Sequence, residues 1–261
     1  MADTILKDVH VDRENELKLF RSMVGGDGDS HILLIQAESG MGKTSLLGEF
    51  WRASRSSPRS HINLKRTTYS VEEILTQLVD DFGGSAAFPT YSRRLEQDFA
   101  RAGDLTISGS RLRDVSVHQT VAGPDRELRQ GVLTDALLQD LRDQPLGDAA
   151  VVIFDTYEEA GQEVKDWLSG RFLRLARTLR WLVIVIAGQR VPEPELGWDE
   201  WSLRQTLRPL DPEHVSEYLD RVELRLTPEQ ILVLYEATEG RPFDLATAVA
   251  RIVARRMLPH E

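Results

Sequence analysis

Two rhythms of apolar positions alternate along the chain. Continuous apolar runs occur at Ile32 to Ile35, Ala149 to Phe154 and Trp181 to Ala187. Such runs predict strands buried on both faces. His61 to Lys65 predicts another strand, with Ile62 and Leu64 alternating with polar residues, and Gln205 to Leu207 a short one. Between the runs, apolar residues recur three and four apart, which predicts helices. These cover Asp12 to Met23, 43–54, about 70–82, 88–102, Asp125 to Arg142 and Glu158 to Thr178. In the Asp125 to Arg142 helix the pattern turns Leu128, Val132, Leu133, Ala136, Leu137 and Leu141 inward.

Several ends are marked by their own chemistry. Asp12 precedes Glu14 and Glu16 and suits an N-cap. Ser70 with Glu73 forms a capping-box pattern, and Thr227 and Asp211 each stand before a proline that suits a first helical turn. Residues 103–124 fit neither rhythm and predict an irregular β segment or a loop inserted between helices. Strands alternating with helices imply βαβ units and a parallel sheet. After Pro209 only helices follow, at Pro212 to Val222, Pro228 to Glu239 and Phe243 to Met257. The expected division is therefore 1–209 as an α/β core and 210–261 as a small helical appendage.

Composition narrows the class. The 261 residues carry 41% hydrophobic and 28% charged residues, an ordinary globular mix with material for a full core. The net charge of −10 repels nucleic acid and anionic membrane at long range. With no cysteine, disulfides and cysteine metal sites are excluded. The polar N-terminus is unlike a signal peptide and no apolar run is span-length, so a cytoplasmic location is expected, without membrane partners. The histidines lack metal-ligand spacing. Arg171, Arg174, Arg177 and Arg180 recur on one helix and read as a solvated face.

The chemistry concentrates at 37–45. A buried strand runs into Glu38-Ser39-Gly40-Met41-Gly42-Lys43-Thr44-Ser45 and then into a helix. This order makes a phosphate-binding P-loop. Gly40 and Gly42 permit a tight turn with inward N–H groups, and the helix start adds its positive dipole end. Lys43 suits the β- and γ-phosphates, and the Thr44 hydroxyl suits Mg²⁺. Ala37 stands where the motif has its first glycine. The run Val151 to Phe154 ends in Asp155, a Walker B form, so Asp155 joins Thr44 as a metal-ligand candidate. Glu158 and Glu159 follow, and in ATPases of this layout a glutamate just after the aspartate activates water; either serves here if the loop curls back, with Glu158 favoured, and equally acidic residues complement a helix start. Gln189 and Arg190, after the next buried strand, face the same crevice and are candidate γ-phosphate sensors.

Taken together, the chain resembles the nucleotide-binding module of the STAND ATPases, signal-transduction relatives of the AAA+ proteins. The resemblance rests on Val9 to Leu17, the P-loop, Val151 to Asp155, Val183 to Arg190 and Gly240-Arg241-Pro242. It implies a P-loop NTPase with a mostly parallel five-stranded sheet in order 5-1-4-3-2 flanked by helices, with residues 210–261 as a lid. It also implies ATP or ADP with Mg²⁺, and adenine between Val11, Arg13 and the lid near Pro242. Asp12 replaces the signature glycine, and Thr156 stands where a catalytic glutamate often follows the Walker B aspartate. The implied function is an ATP-dependent switch controlling self-association or an effector or sensor domain in signalling or defence. The alternatives are an AAA+-type motor or loader acting on DNA or protein, and a non-catalytic nucleotide-binding scaffold. The chain reads as a fragment or a minimal module.

Overall fold

A computed structural model describes residues 11–65, 69–101, 124–193 and 197–257. The expected 103–124 insertion and positions 9 and 10 of the N-terminal signature lie outside the described residues, apart from Pro124.

The strands are β1 (Ile32–Gln36), β2 (Arg59–Asn63), β3 (Ala150–Asp155), β4 (Leu182–Gly188) and β5 (Ser202–Thr206). They form one sheet in the order β2-β3-β4-β1-β5, and every pairing is parallel. The expected order holds. The three central strands are the three continuous apolar runs, as burial on both faces requires. Alternate side chains point to opposite faces. Ile32, Leu34, Val152, Phe154, Ile184 and Ile186 enter one core, while Leu33, Ile35, Val151, Ile153, Val183 and Val185 enter the other.

The second core is covered by α1 (Glu14–Gly25) and α2 (Lys43–Ala53), whose Phe20 and Phe50 rings stack at 4.3 Å. The first is covered by α3 (Val71–Asp81), α4 (Pro89–Arg101), α5 (Pro124–Asp143) and the helical stretch between β3 and β4. That stretch differs from the single long helix expected. A 3-10 turn at Tyr157–Glu159 precedes α6 (Gln162–Trp167), a π turn at Leu168–Phe172 and α7 (Leu173–Ala176). The π turn keeps Trp167, Leu168 and Phe172 all in the core, and Trp167 Nε1 donates to Thr134 Oγ1 at 2.9 Å.

Two local expectations are corrected. Leu128 is 69% exposed and Val132 is also exposed, so the buried apolar stripe of α5 starts at Leu133. Asp12 does not cap α1; Arg13 takes that position, and Asp12 adopts a left-handed conformation at φ 55°. The Ser70–Glu73 capping box and the Asp211 and Thr227 caps form as expected.

A third apolar cluster lies apart from the sheet. It joins Leu210 and the helices α8 (Pro212–Arg221), α9 (Pro228–Thr238) and α10 (Pro242–Met257), with Val215, Leu219, Leu245 and Val249 at its centre. Val11 packs into this cluster rather than into the sheet cores.

Candidate functional site

The P-loop leaves the buried β1 and turns at Gly40 and Gly42, both at φ 83°. Gly42 sits at the N-cap of α2 in the left-handed region, where a side chain is costly. Lys43 folds back over the loop. Its ammonium donates to the carbonyls of Ala37 at 2.5 Å and Glu38 at 2.8 Å. Burial lowers the Lys43 pKa, and the carboxylates of Glu158 and Asp155 oppose that shift. Lys43, Glu158 and Asp155 thus form one electrostatic cluster at the ends of β1 and β3. Asp155 is buried at the last position of β3. Thr44 and Ser39 are exposed, and Ser45 is half-buried.

Thr156 follows Asp155 in a left-handed conformation, φ 60° and ψ 44°. This is an outlier for a β-branched residue, and such strain costs about 1–3 kcal/mol. It turns the chain so that Glu158 points back to the end of β4. There Glu158 Oε2 accepts from the Gln189 main-chain N–H at 2.8 Å. Gly188 makes that approach possible: a Cβ on it would meet Glu158 Oε2 and the Arg190 carbonyl at 2.4 Å each. The β4 end also ties to β1, since Gln36 Nε2 donates to the Gln189 carbonyl at 3.2 Å. Glu159 is exposed, with no side-chain partner among the described residues. Arg190 is exposed as well.

The third cluster meets the P-loop directly. The Phe243 N–H, at the start of α10, donates to the Gly40 carbonyl at 3.0 Å. Pro242 lies against Gly42, where an added Cβ would stand 3.9 Å from the proline ring. Arg241 Nη2 pairs with Glu38 Oε2 at 3.0 Å. Gly240, at φ 66°, accepts from the Leu210 N–H at 2.8 Å. From the other end, Arg13 Nη2 donates to the Arg208 carbonyl at 2.8 Å and reaches the Met41 carbonyl at 3.5 Å. Asp12 accepts from Arg13 Nη1 at 3.2 Å and faces His214 Nε2 at 3.7 Å.

A cleft of about 500 Å³ opens at this junction, within the range of small-molecule sites. Its walls include Ala37, Glu38 and Met41 from the P-loop, Gln189 after β4, Thr206 to Pro209 from the end of β5 onward, and Glu239 and Arg241 before α10.

The structure thus brings together Lys43, Asp155 and Glu158, and sets Glu38, Gly40 and Gly42 against Arg241, Phe243 and Pro242, with Met41 beside Arg13. Val11 and Arg13 join the same junction. Glu159 and Arg190 are exposed, and, like Lys43, Thr44, Asp155 and Glu158, they lie outside the walls of the cleft. The Arg241–Glu38 pair and the Gln189 N–H contact escape sequence reading, because partners 203 and 31 residues apart meet only through the fold. One signal of the second was present, a glycine ending an apolar strand at position 188.

Thr44 and Asp155 offer one hydroxyl and one carboxylate. That sparse set suits Mg²⁺, which keeps several waters and shares phosphate oxygens instead of filling a protein cage. Among the described residues no group of three or more His, Cys, Asp or Glu side chains is gathered for a metal. No helix among them is long and apolar enough to cross a membrane.

No protein-family model matches the sequence, and no curated protein matches it. Solved structures do. A Signal Transduction ATPase with Numerous Domains (STAND) protein with a tetratricopeptide repeat sensor, from Pyrococcus horikoshii, aligns with a TM-score of 0.53 and 18% identity. The alignment covers 90% of this chain and 28% of that one. Cdc6p from Pyrobaculum aerophilum aligns at 0.50 and 14%, over 94% of this chain and 62% of that one. Drosophila ORC, in a structure bound to DNA, aligns at 0.54 and 12%, over 97% and 63%. The chain therefore spans less than two thirds of each of these chains. What this chain shares with all three is their fold, a five-stranded parallel α/β sheet of the P-loop NTPase kind.

Proposed function

We propose that this chain is an ATP-binding switch of the STAND/AAA+ type. It binds ATP with Mg²⁺, hydrolyses it slowly, and thereby controls self-association or an effector in signalling or defence. The observation that carries the reading is the Lys43 ammonium, held on P-loop carbonyls within the influence of the Asp155 and Glu158 carboxylates. Residues 1–209 act as the nucleotide-binding core and 210–261 as the lid.

Each part has a task. The turn at Gly40 and Gly42 and the N-terminus of α2 bind phosphates through main-chain N–H groups. Lys43 leaves its two carbonyls to pair with phosphate oxygens. Thr44 and Asp155 would hold Mg²⁺, which when bound neutralises phosphate charge. Glu158 orients and deprotonates the attacking water. Its carboxylate rests on the Gln189 N–H, and Thr156 fills the position directly after Asp155, features that favour slow turnover. α10 touches the P-loop through Phe243, and Arg241 just before it pairs with Glu38, so ligand-driven shifts of the loop are passed to the lid.

Lys43→Ala should abolish ATP binding in isothermal titration calorimetry with Mg²⁺ present; unchanged affinity would overturn the assignment. Mass measurement in solution, with ADP and with a non-hydrolysable ATP analogue, reads the switch. A change in oligomer size supports it, and identical masses refute control of self-association. The second reading, a loader acting on DNA, draws on the likeness to ORC. It requires DNA to stimulate ATP turnover despite the net charge of −10.

A further inference from the structure

Glu158 is held at both of its ends, and only one hold lies in the nucleotide crevice. Its carboxylate accepts from the Gln189 N–H at 2.8 Å. Its main-chain carbonyl accepts from the ammonium of Lys165, also at 2.8 Å. Lys165 sits in α6, behind the turn that presents Glu158, and no sequence motif marks it.

We infer that Lys165 is a positioning residue for Glu158, clamping the strained turn after Asp155 so that the carboxylate meets the end of β4. The inference rests on the reading of Glu158 as the group that activates water. The turn needs such a clamp. Thr156 is β-branched and left-handed, a conformation that persists only where the surroundings enforce it. Within the turn, only short local main-chain bonds are made: Glu159 N–H to Thr156 and Ala160 N–H to Tyr157, at 3.0 and 3.1 Å. Lys165 closes it from outside. Its ammonium also lies 5.9 Å from the centre of the buried Tyr157 ring, within reach of a cation–π attraction. Its own carbonyl accepts from Ser169 Oγ at 2.8 Å, where the helix widens into the π turn. The ammonium therefore bridges the main chain of Glu158 and the ring beside it, and the π turn secures its base.

At the other end the fit is equally close. A Cβ on Gly188 would stand 2.4 Å from Glu158 Oε2, so a small displacement of the turn breaks the contact with Gln189. Loss of the ammonium lets the turn relax, and the Gln189 N–H loses its acceptor. The reporter is thus an amide hydrogen just after β4, on a different element from the altered residue in α6.

The test compares Lys165→Met and Lys165→Arg in the full chain, reading amide exchange by NMR and steady-state ATP hydrolysis. The Ile186 amide, inside β4, serves as the internal standard for folding, and Glu158→Ala sets the ceiling for loss of the acceptor. Lys165→Met should speed exchange at the Gln189 amide about tenfold while leaving Ile186 unchanged. It should lower kcat about tenfold with KM for ATP unchanged. Lys165→Arg, which keeps a cationic donor, should restore both. Wild-type exchange at Gln189 in Lys165→Met overturns the inference, as does an arginine variant no better than methionine. If the wild-type chain hydrolyses no ATP, the catalytic reading of Glu158 falls, and the exchange comparison alone decides whether Lys165 positions it.

Discussion

Gly240 is the narrowest joint between the third apolar cluster and the sheet. It has φ 66°, and a Cβ there would lie 2.1 Å from the Leu210 carbonyl oxygen. The same residue accepts the Leu210 N–H at 2.8 Å. Gly240→Ala therefore incurs two losses. The left-handed conformation costs a side-chain-bearing residue about 1–2 kcal/mol. Moving the Leu210 carbonyl away sacrifices the hydrogen bond, about 1 kcal/mol net. A total of about 2–3 kcal/mol follows, with the clash relieved by movement of the turn. Gly26 provides the control. It has φ 75° and nothing within 4 Å of an added Cβ, so Gly26→Ala carries only the conformational cost of about 1–2 kcal/mol. All five tryptophans precede residue 210, whereas α8 to α10 follow it. In urea unfolding, tryptophan fluorescence reports the sheet region and far-ultraviolet circular dichroism reports all helices. Gly240→Ala should shift the dichroism transition to lower urea than the fluorescence transition. Gly26→Ala should move both together. Equal destabilisation by the two substitutions would refute the argument from the Leu210 contact.

Two further outcomes follow from the site and the core. Glu158→Gln keeps an oxygen for the Gln189 N–H but loses the base; ATP affinity should hold while turnover falls about 100-fold. Glu159→Gln, at an exposed side chain, should leave turnover unchanged, and the reverse pattern would move the role to Glu159. His31 is buried with neither ring nitrogen hydrogen-bonded among the described residues. Burial lowers its pKa, and Arg180 lowers it further. The main chain at Asp29 and Ala176 raises it, close enough to favour the proton without reaching hydrogen-bond geometry. With its folded pKa depressed, His31 stays neutral in the fold while the unfolded chain takes up a proton. Stability is therefore retained above about pH 6.5 and lost as pH falls from there towards the folded pKa, with a slope approaching 1.4 kcal/mol per pH unit. Urea unfolding of His31→Leu between pH 7.5 and 5 should show a flatter dependence than wild type; parallel curves would exclude His31 as the source.

Period and loop chemistry explain which parts of this architecture could be read from the chain. The central strands are legible because burial on both faces demands unbroken apolar runs, and the runs at 32–35, 149–154 and 181–187 differ from their strands only at the ends. β2 and β5 lie at the sheet edges, where one-sided burial dilutes the signal, and their bounds shift by one to three residues from the expected ones. The π turn was invisible because each residue in it is compatible with an ordinary helix; only the joint burial of Trp167, Leu168 and Phe172 calls for the wider turn. The exposed Leu128 shows the limit in the other direction, since an apolar residue at helical spacing states which face it lies on and not what covers it.

Asp12 shows how a departure from a motif is decided by conformation. The resemblance places a glycine there, and a glycine signature implies either close approach or positive φ. The observed φ of 55° identifies the second requirement. Aspartate meets it better than most residues, because its short polar side chain tolerates the left-handed region. Its carboxylate then stabilises the junction as well, accepting from Arg13 and facing His214 of α8. Arg13, in turn, donates to the main chain of the P-loop and of the segment entering the third cluster. Aspartate therefore keeps the backbone shape and adds a charged contact between the N-terminal segment and α8. Thr156 has no such excuse: it is β-branched at φ 60°, with no side-chain cap bond, so its conformation is imposed from outside. Two left-handed residues that look alike in their backbone angles thus have different causes. One is chosen for the conformation, and the other is held in it by the contacts around Glu158.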